Sequence, residues 1–336
     1  MNPIILPDGD RLTVSDEALL VRFAGPRRVL CTAPFNGGVR EDLTAVFNHA
    51  ESRDCTMKAD TYAGHLRVLA EELGLDADRA AGISTAADMH NYGLVSETFR
   101  DFTVTALVTG GVDVNGGRAG DPANWHESET GAVYSPGTIN IMLFTTANLV
   151  PGAMVRAAVT AAEAKVTVLE ELAAPSRYSR GPATGSGTDS TIIVCDPASP
   201  LTLTEAGKQY KLGEFIARTV RAALKEALAK QCDMTPERQF NAFRRIDRYL
   251  PGSALEASID APLFTDRALV VGTLLLVHLM DQYEWKLISA DDLQTAASRI
   301  CAELRIPLPE DFAAGTDPAG ALASAWEAEM LRRLAQ

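Results

Sequence analysis

Through the first two hundred residues, apolar positions mostly come in short runs broken by turn residues. Beyond residue 236 they come at helical spacing. Leu12, Val14, Leu20, Val21, Phe23 and Val29-Leu30, separated by Asp-, Gly- and Pro-containing turns, predict a β region across 10–32. Asn36-Gly37-Gly38 follows and is expected to open a helix over 39–50. Tyr62, Leu66, Leu69, Ala70 and Leu73 fit a helix over 60–74 closed by Gly74. Residues 81–85 read as a short strand, and 102–109 and 139–145 as longer ones. Pro151-Gly152 opens a helix to about Leu172, with the stripe Val155, Ala158, Val159, Ala162, Val166 and Leu169 as its expected buried face. A strand at 191–194 precedes the clearest helix, in which Leu212, Phe215, Ile216, Thr219, Val220, Ala223, Leu224, Ala227 and Leu228 repeat at three- and four-residue steps.

These elements predict an α/β (or α+β) fold: a mixed sheet flanked by helices, with a helical C-terminal extension. The pattern changes after Met234-Thr235-Pro236, where 236–249, 265–280, 289–304 and 319–335 all read as helical. Two domains are therefore expected, 1–235 and 236–336. No internal repeat is present.

A net charge of −13 argues against a nucleic-acid binder, which needs a basic face for phosphates. The run Ala268–Met280 is too short to span a bilayer and contains His278. The N-terminus lacks the pattern of a signal peptide. Cys31, Cys55, Cys195, Cys232 and Cys301 are scattered, without a C-x-x-C pair. Together these point to a reducing cytoplasm and unreactive thiols, with neither membrane nor nucleic acid as partner and a homo-oligomer left open.

The chemistry concentrates in loops at strand ends. The stretch 104–146 carries an apolar run into a loop dense in Gly, Asn and Asp, and a second run leaves it through Gly137-Thr138. Gly permits close backbone approach to a ligand, and Asn and Asp add short hydrogen-bonding groups. Ala183-Thr184-Gly185-Ser186-Gly187-Thr188-Asp189 is a similar loop, but it is not a phosphate-binding Walker loop, since a strand follows it. Lys165 falls within roughly 50° of the centre of the expected apolar stripe, where a lysine must snorkel, pair or serve a site. No nucleophile elbow or helical zinc motif occurs. No cofactor is called for; a metal held by His90, His126, Asp113 or Asp121 is the open alternative.

The segments Thr32–Gly38, Ser84–Met89, Thr109–Val112, Arg118–Asp121, Gly137–Ile141, Glu163–Lys165, Ala183–Asp189 and Lys211–Glu214, in this order, resemble those of the adenosylcobinamide amidohydrolases of corrinoid salvage. The resemblance spans about residues 10–230. The loop at Gly116-Gly117 and the polar insertion at 122–135 depart from the shorter loop of that family. The resemblance implies hydrolysis of the amide that joins aminopropanol to a propionate arm of the corrin ring, giving adenosylcobyric acid. A corrin rim is rich in amides, which Asn36, Asn115 and Asn140 would pair with. Gly37, Gly38, Asp88, Arg118, Gly137, Thr138, Gly185 and Asp189 complete the expected substrate-binding set. For catalysis, Asp121 or Glu163 would activate water or a hydroxyl, Lys165 or backbone N–H groups near Gly137-Thr138 would steady the oxyanion, and Ser186 or Thr188 would be the nucleophile of a covalent route. The alternatives are a non-catalytic corrinoid carrier and a hydrolase of another amide-rich metabolite.

Overall fold

The computed structural model describes residues 2–52, 57–123, 126 and 138–336. The chain divides into two compact units: Met1–Ala174 with Ala183–Thr235, and Pro175–Pro182 with Pro236–Gln336.

The first unit begins with strands β1 (Ile4–Ile5), β2 (Arg11–Val14), β3 (Ala18–Arg22), β4 (Arg28–Cys31), β5 (Gly38–Arg40) and β6 (Ala45–Ala50). Helix α1 (Tyr62–Glu72) leads to β7 (Ala80–Thr85), β8 (Gly93–Phe99), β9 (Phe102–Gly110) and β10 (Gly116–Gly117). Then come β11 (Ile139–Thr145), β12 (Asn148–Leu149), α2 (Pro151–Glu171), β13 (Gly185–Ser186), β14 (Ser190–Cys195), β15 (Thr202–Leu203) and α3 (Lys211–Cys232). One sheet has the order β1-β2-β3-β6-β7 and the other β5-β4-β14-β11-β9-β8. Each is mixed: β6–β7 and β11–β14 run parallel, and their other neighbours antiparallel. The fold is mixed α/β, as its pattern predicts.

The two sheets pack face to face. Leu107, Met142, Phe144, Ile192 and Val194 of the second meet Leu12, Leu19, Val21 and Val46 of the first. The opposite face of the second sheet (Val104, Ala106, Val108, Ile141, Leu143, Ile193) is covered by α2 and α3. All seven residues of β11 are thus buried, which is why it reads as a continuous apolar run.

Two expectations need correction. Residues 39–50 form β5 and β6 rather than a helix. Ala45–Asn48 are buried on both faces of their sheet, and a short run buried on both faces has no period to distinguish strand from helix. In α2 the buried residues are Ala153, Met154, Ala157, Thr160, Ala161, Ala164, Val168 and Leu169. Val155 and Val159 instead face outward, 53% and 41% exposed. Small alanines lie inward because α2 packs against α3, and short side chains let two helices approach. The buried face of α3 follows its sequence pattern throughout.

The second unit is helical: α4 (Pro236–Gln239), α5 (Ala242–Ile246), α6 (Arg267–Glu284), α7 (Ala290–Leu304) and α8 (Pro318–Leu334). Phe243, Phe264 and Trp326 centre its core, and the buried indole N–H donates to Thr273 Oγ1 at 2.9 Å. Arg248 makes a two-pronged pair with Asp281, at 2.7 and 2.6 Å. The segment Pro175–Pro182 belongs here through Arg180, which holds both oxygens of Asp317 and reaches Glu284 at 3.0 Å. No described helix is long and apolar enough to cross a membrane.

Candidate functional site

The parallel strands β11 and β14 begin at one end of the second sheet, where β9 ends. The loops leaving that end are joined. Gly116 pairs with Ser186 and Gly117 with Gly185 in a two-stranded ladder of β10 and β13. Thr184 N–H donates to Gly117 O and Ala119 N–H to Thr184 Oγ1, both at 2.8 Å. The two Gly-rich loops singled out by sequence are therefore joined in one ridge.

Asp189 anchors it. Its Oδ1 accepts the N–H of Ile139 at 2.9 Å and the hydroxyl of Ser186 at 2.6 Å; Ser186 N–H lies 3.1 Å from each carboxylate oxygen. Its Oδ2 takes the ammonium of Lys165, reaching over from α2. A Cβ at Gly185 would sit 2.3 Å from Asp189 Oδ2 and 2.8 Å from Lys165 Nζ, so the pair fits only beneath a glycine. Thr138 is buried and donates to Thr188 O at 2.8 Å. Thr188 itself stands exposed beside Gly187 at the loop tip.

On the other face of β11, Asn140 donates to Asn48 Oδ1 at 2.8 Å and to Ser84 O at 2.9 Å, and Asn48 donates to Thr109 Oγ1 at 2.8 Å. This buried network ties the two sheets together, and Asn140 Oδ1 has no hydrogen-bond partner among the described residues. Sequence reasoning missed Asn48 because it lies in the segment read as a helix.

The structure thus brings Lys165, Gly185, Ser186, Asp189, Thr138 and Asn140 to one end of the sheet, with Thr188 at the tip. Other candidates lie elsewhere or have local duties. Glu163, two residues from Lys165 and so on another side of α2, pairs with Lys208 at 3.1 Å. Asp121 accepts Arg118 N–H at 2.7 Å within its own turn. Asn115 is buried in the loop after Val112. Asn36 has φ +48°, and its amide donates to Ala77 O and Ala80 O at 2.8 and 2.6 Å. That side chain staples the turn to the start of β7. Gly37 lies so close to Ala33 O that a Cβ would come within 2.1 Å, and Gly38 has φ +78°. Asp88 is exposed and caps its turn by accepting His90 N–H at 2.8 Å. Gly137 and Cys55 lie outside the described residues. Among the described residues no group of three or more His, Cys, Asp or Glu is placed to hold a metal, and His90 pairs with Asp16 at 2.8 Å. Burial pushes the Cys31 and Cys301 thiols up, to about 11 and about 12, which disfavours the reactive thiolate.

Residues 5–236 match the family model described as adenosylcobinamide amidohydrolase. An uncharacterized protein of Methanocaldococcus jannaschii is 33% identical over 234 residues, covering 66% of this chain and 89% of that protein. Among solved structures, a Pyrococcus horikoshii OT3 protein aligns with a TM-score of 0.34 at 12% identity, over 68% of this chain and 80% of its own. A Burkholderia sp. beta-aminopeptidase aligns with a TM-score of 0.36 at 15% identity, over 66% and 80%.

Proposed function

This chain belongs to the adenosylcobinamide amidohydrolase family, and on that premise we propose that it hydrolyses the amide linking aminopropanol to a propionate arm of adenosylcobinamide, releasing adenosylcobyric acid. The observation that carries this reading is the joining of two of the segments on which the family resemblance rests, those holding Ile139 and Asp189. Residues 50 positions apart, Ile139 and Asp189, are hydrogen-bonded, and the Gly116-Gly117 and Gly185-Ser186 pairs lie edge to edge.

The ridge suits an amide-rich rim. Gly187 at its tip is exposed, so a ligand can approach the backbone there without a side chain in the way. Ser186 and Thr188 add hydroxyls. We assign this ridge to substrate recognition, with Asp189 and Lys165 holding it rigid from below. Lys165 is largely covered and faces a carboxylate, so the pair acts as an anchor for the loop.

The test is incubation of the purified protein with adenosylcobinamide, following corrinoid and aminopropanol by mass spectrometry with and without chelator. Formation of adenosylcobyric acid is the expected outcome. Tight corrinoid binding without product would replace this reading by a carrier function.

A further inference from the structure

A second polar cluster stands at the carboxyl ends of the parallel strands β6 and β7, the end of a parallel pair where α/β proteins gather ligand-binding groups. His65 of α1 accepts the N–H of Lys58 on Nδ1 at 3.0 Å, which leaves its proton on Nε2, 2.9 Å from Glu51 Oε1. His65 is buried and fully engaged, so these three residues form a clamp that fastens the chain after β6 to α1. The clamp does not need His49. Yet His49 Nδ1 lies 3.6 Å from the same Glu51 oxygen, with no hydrogen-bond partner among the described residues. Two unshared electron pairs facing each other repel, so the carboxylate favours the proton of His49 on Nδ1. That leaves Nε2 as the basic nitrogen, the arrangement by which a carboxylate readies an imidazole to take a proton.

The neighbours of His49 fit the same role. In the parallel ladder His49 is in register with Ser84, so the two side chains lie on one face of the sheet, on strands ~4.8 Å apart. Ser84 N–H donates to Tyr62 Oη at 3.2 Å, and the two hydroxyls are 3.1 Å apart. With the Tyr62 proton given to Ser84 Oγ, the Ser84 proton is left to donate to a third atom. The side chains of His49 and Glu51 keep 13% and 15% of their surface exposed, against 3% for His65. Access thus goes to the base and not to the clamp. Ser84 O also takes the amide of Asn140, next in sequence to the Ile139 that Asp189 holds, so the cluster is hydrogen-bonded to the recognition ridge.

We propose that His49, oriented by Glu51, is the general base of the hydrolysis, and that the Ser84 hydroxyl donates to the carbonyl oxygen of the bond to be cleaved. This inference rests on the amidohydrolase reading above. A water oxygen adds to the amide carbon as its proton passes to His49 Nε2. The C–N bond then breaks and His49 returns that proton to the leaving nitrogen, giving an acid and an amine. Glu51 is a positioning residue.

The test has two arms on the full-length protein. In steady-state kinetics with adenosylcobinamide, His49→Gln is expected to lower kcat by about a hundredfold or more while KM moves little. His49→Asn serves if the glutamine variant does not fold, and circular dichroism checks the fold. Turnover near that of the wild type in a folded variant overturns the proposal. In 15N NMR of histidine-labelled protein, the His49 proton is expected on Nδ1, and Glu51→Gln should shift it toward Nε2. A proton on Nε2 in the wild type overturns the proposal whatever the substrate. Wild-type protein that shows the Nδ1 tautomer but leaves adenosylcobinamide intact would overturn the substrate reading and keep the acid–base pair.

Discussion

Gly185 is as necessary to the candidate site as the side chains of its loop, because Asp189 and Lys165 occupy the space a methyl group would need. Gly185→Ala is expected to force the pair apart at a cost of about 1–3 kcal/mol, the usual range for overpacking. Thermal denaturation with corrinoid binding checks this: both stability and affinity should fall, and an unchanged Kd would remove the ridge from recognition. Residue chemistry was partly legible in advance. Lys165 stands out from the sequence as a lysine near an apolar face, and the structure gives it Asp189 as a partner. The stripe that marks it out, Val155–Val159–Ala162, nonetheless faces outward in the fold. Glu163 and Asp121 look like acid–base candidates in sequence, since nothing there shows that one meets Lys208 and the other closes a four-residue turn. The partner of a carboxylate is a tertiary fact.

At the scale of elements, β8 and α3 approach closely at Gly93. A Cβ on Gly93 would lie 2.0 Å from Ala223 O and 2.7 Å from its carbonyl carbon, both backbone atoms that cannot rotate away. Gly93→Ala should therefore shift α3 along its buried face and lower Tm by several degrees, a loss of at least about 1–3 kcal/mol. A Tm equal to that of the wild type would show that the helix is free to move. The long elements were readable because each has a single strong period or a long continuous run: α3, β9 and β11 lie where their patterns put them. What failed was β6. It carries Asn48, whose partners Asn140 and Thr109 come from elsewhere in the chain, and His49, whose neighbour Glu51 directly follows the strand. With that strand misread, neither the buried amide network nor the His49–Glu51 pair could be found from the sequence.

Across the whole molecule, the change of pattern near residue 235 coincides with the passage between the two units, but the first crossing at Pro175–Pro182 left no mark in the pattern. Only eight residues are involved, too few for any periodicity. Their weight comes from Arg180, whose guanidinium holds the Asp317 carboxyl below the usual carboxylate range while that carboxylate caps α8 through Gly320 N–H at 3.0 Å. Arg180→Ala should therefore speed hydrogen exchange in the first turn of α8 and leave β9 and β11 as they were. Unchanged exchange there would mean that Asp317 caps the helix unaided. The same crossing bears on how the chain is made. During synthesis Arg180 emerges long before Asp317, 137 positions later. The helical unit is thus discontinuous in the gene: a segment cut at 236 and expressed alone lacks a cation that its own acids were arranged to receive.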